Sequence, residues 1–265
     1  MADYIEANGV RAWYDTRGRG EPLVLLHGGF SDARDFAGNL DTLADRFTLF
    51  TPERRGHGHT PDVDGPITLG LMADDTIAFL DKAVGGPVHL AGYSIGATVA
   101  LLVAMRRPDL VRKLVLISAG FHHDGWIMAP AAGAEMPERV VAAYAEVSPD
   151  GRDHFPVVVA KVVEGAERDP LALTEADLAA VRSRTLVMAG DDDLIHLEHT
   201  IALYRGVPDA ELAVVPGTSH LLLQEKPGPC TGIVADFLTG DPAPTFLPIR
   251  RDPGRALRSI LAEPG

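Results

Sequence analysis

In the stretch LAGYSIGATVAL, residues 90–101, a serine stands at a corner. Strand-forming residues run directly into helix-forming ones. Ser94 marks the junction, with Gly92 and Gly96 two positions away on either side. A residue on so sharp a strand-to-helix turn must take strained backbone angles. Glycines two positions away remove the clashes that side chains would make there. The turn then holds the hydroxyl out above the sheet. The Ile95 amide opens the following helix, where unpaired N–H groups and the helix dipole favour negative charge. This G-x-S-x-G pattern suits a nucleophilic serine, with the Ile95 N–H stabilising an oxyanion.

A serine hydroxyl is a weak nucleophile until a base takes its proton, and the usual base is a histidine oriented by a carboxylate. Of the ten histidines, His220 in VPGTSH follows the last strand-like run and precedes the last helix-like segment. That places it at the carboxyl edge of a sheet, beside the corner. His89 lies inside a strand and reads as structural. His57 and His59 belong to a glycine turn, RRGHGHT. His122 and His123 precede Asp124, and His196 and His199 are three apart, but two nitrogens without further spaced ligands make a poor metal centre. The carboxylate belongs between Ser94 and His220 if the chain order is serine, acid, histidine. RTLVMAGDDDLI offers Asp191, Asp192 and Asp193 at the end of a strand. The residues alone leave all three open.

These groups need a scaffold that brings strand ends together. RAWYDTRG alternates and reads as a strand near a sheet edge, whereas PLVLLHGG is the continuous apolar run of a strand buried on both faces. FTLFTPE, PVHLAGYS, RKLVLIS, RTLVMAG and ELAVVPG continue the series. Between them, Leu69, Met72, Ala73, Ile77, Leu80 and Val84 repeat at helical spacing, and IGATVALLVAMRR is apolar nearly all round until Pro108 stops it. Alternating strand–helix units predict a mostly parallel sheet covered on both faces, with ligands at the carboxyl ends of its strands.

The alternation breaks after Phe121. The expected organisation is a core of residues 1–120 and 184–239, a helical cap of residues 121–183, and a Pro/Arg-rich tail of residues 240–265. PERVVAAYAEV puts Val140, Tyr144 and Val147 on one helical face, and Thr174 with Asp177 looks like a helix start. The cap emerges beside Ser94, so Phe121, Trp126, Met128 and Tyr144 are expected to wall the pocket, with Phe30 and Ile195 below.

Composition narrows the classes. The chain has 265 residues, 46% of them hydrophobic, enough for a sizeable core. Its net charge of −13 opposes binding to nucleic acid or anionic membranes. The basic patch IRRDPGRALR near the end reads as a solvated tail. No apolar run approaches the length of a bilayer span. The N-terminus lacks the pattern of a signal peptide, and one cysteine, Cys230, excludes an internal disulfide. The expected setting is cytoplasmic, and the expected partner is a small-molecule substrate. Oligomeric state is not legible.

The ordered set LLHGGF, RRGHGHT, GYSIG, RPDLVRKLVLIS, GDDDLI and GTSH resembles the α/β-hydrolase superfamily, in particular its compact serine esterases and cofactor-free haloperoxidases. The likeness covers Val10 to Leu238. It implies an α/β-hydrolase fold, a mostly parallel twisted sheet with helices on both faces and a small cap. It implies a catalytic set of Ser94, Asp193 and His220, because the acid usually falls three residues after the glycine closing its strand. It points to the Gly29 amide, with Phe30 as second choice, as the oxyanion donor that joins Ile95. No metal or cofactor is implied. Glu53 stands where many relatives have aspartate, and His196 where many have proline. The implied activity is hydrolysis of a carboxylic ester or lactone through an acyl-enzyme. The same triad can run perhydrolysis or cleave a carbon–carbon bond, and a non-catalytic binder could use the same fold.

Overall fold

The apolar runs become the inner strands of one eight-stranded sheet, seen in a computed structural model that describes residues 1–128, 133 and 135–241. The strands are β1 (Ala2–Ala7), β2 (Val10–Gly18), β3 (Glu21–Leu26), β4 (Phe47–Pro52), β5 (Val88–Tyr93), β6 (Val111–Ile117), β7 (Arg184–Asp192) and β8 (Ala210–Ser219). They lie in the order β1-β2-β4-β3-β5-β6-β7-β8. From β4 to β8 every neighbour is parallel, whereas β1–β2 and β2–β4 are antiparallel.

The edge hairpin of β1 and β2 turns on Asn8 and Gly9, both at positive φ. β1 is largely exposed, so it carries little apolar alternation to betray a strand. The expected tail, residues 240–265, lies outside the described residues beyond Asp241.

Side chains alternate along the inner strands and feed two cores. On one face Leu90, Leu114 and Leu116 pack with Met72, Phe79, Val99 and Val103. On the other Ala91, Val115 and Ile117 pack with Leu40, Leu43, Val234 and Phe237. The covering helices are α1 (Leu69–Phe79), α2 (Ile95–Arg106), α3 (Glu138–Val147), α4 (Phe155–Arg168), α5 (Leu197–Gly206), α6 (Leu222–Glu225) and α7 (Pro227–Thr239). Thr68 caps α1 by accepting the Leu71 N–H at 3.1 Å. A π-turn over Leu80–Val84 extends α1 to Gly85 at φ 73°. α2 stops before Pro108, which forbids the preceding residue a helical conformation.

The stretch between β6 and β7 holds α3 and α4, whose facing rings Tyr144 and Phe155 lie 4.7 Å apart. The Thr174–Asp177 pair starts only a short 3-10 turn, Asp177–Ala180. Arg34, in the loop after β3, ties α3 to the core through Glu146 Oε2 at 2.5 Å and the Ala143 carbonyl at 2.6 Å. Among the described residues no helix is long and apolar enough to cross a membrane.

The order of strands reverses at β3, which has β4 on one side and β5 on the other. Leu26 and Gly92 are register partners at the carboxyl ends of β3 and β5. The turns after these two strands therefore meet in a crevice, the place where open α/β sheets bind ligands.

Candidate active site

Ser94 takes φ 56° and ψ −123°, a conformation L side chains rarely adopt. A Cβ on Gly92 would collide with the Gly96 carbonyl, and one on Gly96 with the carbonyls of Leu26 and His27. Both glycines are therefore required by backbone approach. Such a turn costs roughly 1–3 kcal/mol. Fully burying a Val or Leu contributes roughly 1.5–3 kcal/mol. Val99, Leu101 and Val103 of α2 are all 0% exposed, so the packing of α2 outweighs the strain at its first turn. The Ser94 N–H donates to the Ile117 carbonyl at 2.8 Å, tying the corner to β6.

The Ser94 Oγ lies 2.9 Å from His220 Nε2, and His220 Nδ1 lies 2.6 Å from Asp193 Oδ1. Asp193 Oδ2 accepts the Ser118 hydroxyl at 2.5 Å and the Gly190 N–H at 3.2 Å, and Oδ1 accepts the Ile195 N–H at 3.2 Å. Burial pushes the Asp193 carboxyl up, but the hydrogen bonds from His220 and Ser118 outweigh it and hold the group below the usual carboxylate range. It is ionised at neutral pH and faces the imidazole. The neighbouring carboxylates do something else. Asp191 accepts the Thr218 N–H at 3.1 Å, and both Asp191 and Asp192 are exposed. The Tyr93 hydroxyl donates to the His220 carbonyl at 2.8 Å and fixes the loop that carries the imidazole.

Gly29 sits against Ile95, close enough that a Cβ on Gly29 would come 3.1 Å from Ile95 Cγ1. The amides of Gly29, Phe30 and Ile95 have no acceptor among the described residues. The turn before them is held tightly. The Gly28 N–H donates to Asp35 Oδ2 at 2.7 Å, and the Ser31 hydroxyl donates to Asp35 Oδ1 at 2.6 Å. Burial pushes the Asp35 carboxyl up against those two bonds. Arg54, 5% exposed, reaches the carbonyls of His27 and Gly28, each at 2.5 Å. Burial pushes its guanidinium down to about 9, with Asp35 and Glu53 opposing, so it stays charged at neutral pH.

A cavity of about 410 Å³ opens over Ser94 and His220. Phe30 lines it, as do Met136, Val140 and Ala143 at and before α3. The other residues expected to wall it are placed variously. Trp126 lies with its ring 6.0 Å from that of His220 and bridges backbone to Ile195. Ile195 is buried and serves Asp193 through its N–H. Phe121 stacks on His199 at 3.9 Å and lines a separate surface cavity. Tyr144 turns towards α4, and Met128 is 65% exposed.

Sequence reasoning missed Ser118, Tyr93 and Arg54. Ser118 carried a faint signal, a small polar residue ending the apolar run of β6. Apart from His27, which lies against the Gly28 carbonyl, the remaining histidines stay outside this site. His89 is buried in β5. His199 Nε2 accepts the Phe121 N–H at 3.0 Å, and burial, then His122 and His196, push His199 down to about 4. His122, His123 and Asp124 bring one donor atom each within 4.8 Å of one another on the surface. Those three are consecutive residues, with His122 Nδ1 3.5 Å and His123 Nε2 3.2 Å from the Asp124 carboxylate.

Residues 23–231 match the model of the family described as "Alpha/beta hydrolase family". The chain is similar to a thermophilic esterase from Thermogutta terrifontis, with a TM-score of 0.73, 24% identity and coverage of 90% of this chain and 98% of that one. A meta-cleavage product hydrolase from Pseudomonas fluorescens IP01 superposes with a TM-score of 0.73 at 20% identity, covering 89% of this chain and 97% of that one. By sequence, the sn-1-specific diacylglycerol lipase ABHD11 of Mus musculus is 24% identical over 250 residues, 82% of this chain and 80% of its own. The match to the family model spans most of the chain and includes Ser94, Asp193 and His220: this protein belongs to the alpha/beta hydrolase family.

Proposed function

We propose that this protein is a serine hydrolase that cleaves a carboxylic ester or lactone of a small, partly apolar substrate through an acyl-enzyme. The observation that carries the reading is the continuous chain Ser94–His220–Asp193, at 2.9 and 2.6 Å. Ser94 Oγ attacks the carbonyl carbon while His220 Nε2 takes its proton, and the carbonyl oxygen becomes an oxyanion held by the Gly29 and Ile95 amides. The tetrahedral intermediate collapses as His220 returns the proton to the leaving alkoxide. Water then attacks the acyl-enzyme by the same route and releases the acid. Asp193, anionic and buried, holds the imidazole in the tautomer with the proton on Nδ1. Support for ester cleavage comes from relatives named as an esterase and a lipase.

The test has two parts. A fluorophosphonate probe should label the wild-type protein at Ser94 and leave Ser94→Ala unlabelled. Hydrolysis of 4-nitrophenyl acetate should fall at least ~10³-fold in Ser94→Ala with matched circular dichroism. Rates near wild type in that variant would remove Ser94 from the chemistry. A panel of acyl esters, lactones and vinylogous diketones then separates ester cleavage from carbon–carbon cleavage, the alternative that the same triad can run.

A further inference from the structure

We infer that Arg54 is a positioning residue for the oxyanion: it grips the Gly28 carbonyl and thereby aims the Gly29 N–H at the Ser94 corner. The inference rests on the reading above, in which Ser94 is the nucleophile and Gly29 an oxyanion donor.

The geometry follows from one peptide unit. The Gly28 carbonyl and the Gly29 N–H belong to the same planar trans peptide, so they point in opposite directions. Whatever fixes the oxygen fixes the direction of the N–H. Arg54 Nη2 donates to that oxygen at 2.5 Å. The His27 ring packs against the same oxygen. Its Nε2 accepts the Arg54 backbone N–H at 3.3 Å. Its Nδ1 lies 2.9 Å from the Gly28 oxygen and 3.0 Å from Arg54 Nη2, so ring, guanidinium and carbonyl form one buried cluster. The Gly28 oxygen is thus held by Arg54, and the residue's own N–H is held by Asp35. Arg54 Nη1 fixes the preceding carbonyl, that of His27, in the same way.

A cation is an expensive device for this purpose. Taking a guanidinium out of water is costly, and Arg54 Nε lacks a partner among the described residues. A methionine would fill the space without that cost. What the charge adds is polarisation: a peptide whose oxygen bonds a cation has a more acidic N–H, and it strengthens further when an anion forms opposite. Asp35 and Glu53 are the carboxyl groups that face the guanidinium.

The experiment compares Arg54→Gln and Arg54→Lys with wild type. Losing one oxyanion donor costs about 10²–10³ in kcat, so mis-aiming one should lower kcat by about 10–100-fold in Arg54→Gln with KM within about twofold. The lysine keeps the charge but cannot bond both carbonyls, and should recover part of the loss. An alkylboronic acid, whose Ser94 adduct puts an oxygen in the oxyanion position, should bind more weakly by the same factor. Affinity for the alcohol product, which carries no oxygen in the oxyanion position, should not change. A purely structural role would move the melting temperature and leave the boronate-to-product ratio at the wild-type value, and that result overturns the inference. So does a kcat within about threefold of wild type. Neither outcome touches the Ser94 assignment, which fluorophosphonate labelling of each variant reads separately. Should both variants fail to fold, a through-hydrogen-bond NMR coupling between Arg54 Nη2 and the Gly28 carbonyl carbon in wild type supports the grip, and its absence overturns it.

Discussion

The Ser118 hydroxyl donates to Asp193 Oδ2 at 2.5 Å, taking up the carboxylate oxygen that His220 leaves free. Ser118 sits just past β6 at φ 53°, and its N–H is tied to the Met188 carbonyl at 2.8 Å. The acid of the proposed triad is thus anchored from the strand next to its own. Ser118→Ala should lower kcat/KM by about tenfold and cost roughly 1.5–3 kcal/mol of stability, the value of a hydrogen bond to a charged group. Asp193 is held below its ordinary range, so its stabilisation is present above the unfolded value and lost as pH falls through the folded one. With Ser118 removed the folded value rises towards the unfolded one, so that loss should be smaller and complete at a higher pH. Urea midpoints of both proteins between pH 7 and pH 3 measure it, and superimposable pH profiles would contradict the role.

Asp193→Asn should lose on the order of 10⁴ in kcat, because an amide presents its NH₂ to the imidazole and stabilises the wrong tautomer. Asp191→Asn and Asp192→Asn should stay within a few-fold of wild type, since both side chains face solvent. Steady-state kinetics on one ester across the three variants decides it. A crippled Asp191→Asn or Asp192→Asn would move the acid.

Acid should destabilise the fold through His57. Its ring is 2% exposed, and burial, then the Arg54 charge, push it down to about 4. A folded value below the unfolded one means that the unfolded chain binds the extra proton, so stability falls as pH drops from about 6.5 towards 4. Between pH 7 and pH 5 this one group should remove about 2 kcal/mol. His57→Gln should flatten that slope whatever its effect at pH 7. Equal slopes for wild type and variant would show that His57 is not the group responsible.

Chain-length preference should be set by α3. Val140→Phe and Ala143→Phe add bulk to the cavity over Ser94 and should depress octanoate esters against acetate by at least several-fold, as one methylene is worth roughly 1–3 kcal/mol. Met128→Ala, at a side chain 65% exposed, should leave the ranking unchanged. The measurement is kcat/KM from acetate to octanoate. A uniform fall in both phenylalanine variants would mean that α3 covers the site without reading the acyl chain.

The corner at Ser94 was legible in the sequence because its cause is local. A strand that meets a helix with nothing between them forces a positive φ at Ser94 and forbids side chains at Gly92 and Gly96, whatever surrounds them. The alternation of continuous apolar runs with helical periods was legible for the same reason, and it led to the mostly parallel sheet. So was the position of His220, since a residue following the last strand must emerge at the carboxyl edge. The edge strand β1 was not, although the Asn8–Gly9 turn is a hairpin signal. An exposed strand buries too little to show a pattern.

What remained belongs to tertiary structure, where the partner of a group depends on register and on which surface an element covers. Three consecutive aspartates are equivalent in composition. Only the bulge in the pairing of β7 with β8, between Gly190 and Asp192, and the approach of β6 decide which one turns inwards to Ser118 and His220. The helical period of α3 declares an apolar side, yet Tyr144 packs on Phe155 while Val140 and Ala143 face the cavity, because the helix is wedged between α4 and the core. Arg54 reads as one more charge in RRGHGHT. Its burial beneath the Gly28 peptide follows from the pairing of β3 with β4, a long-range contact that no local rule contains.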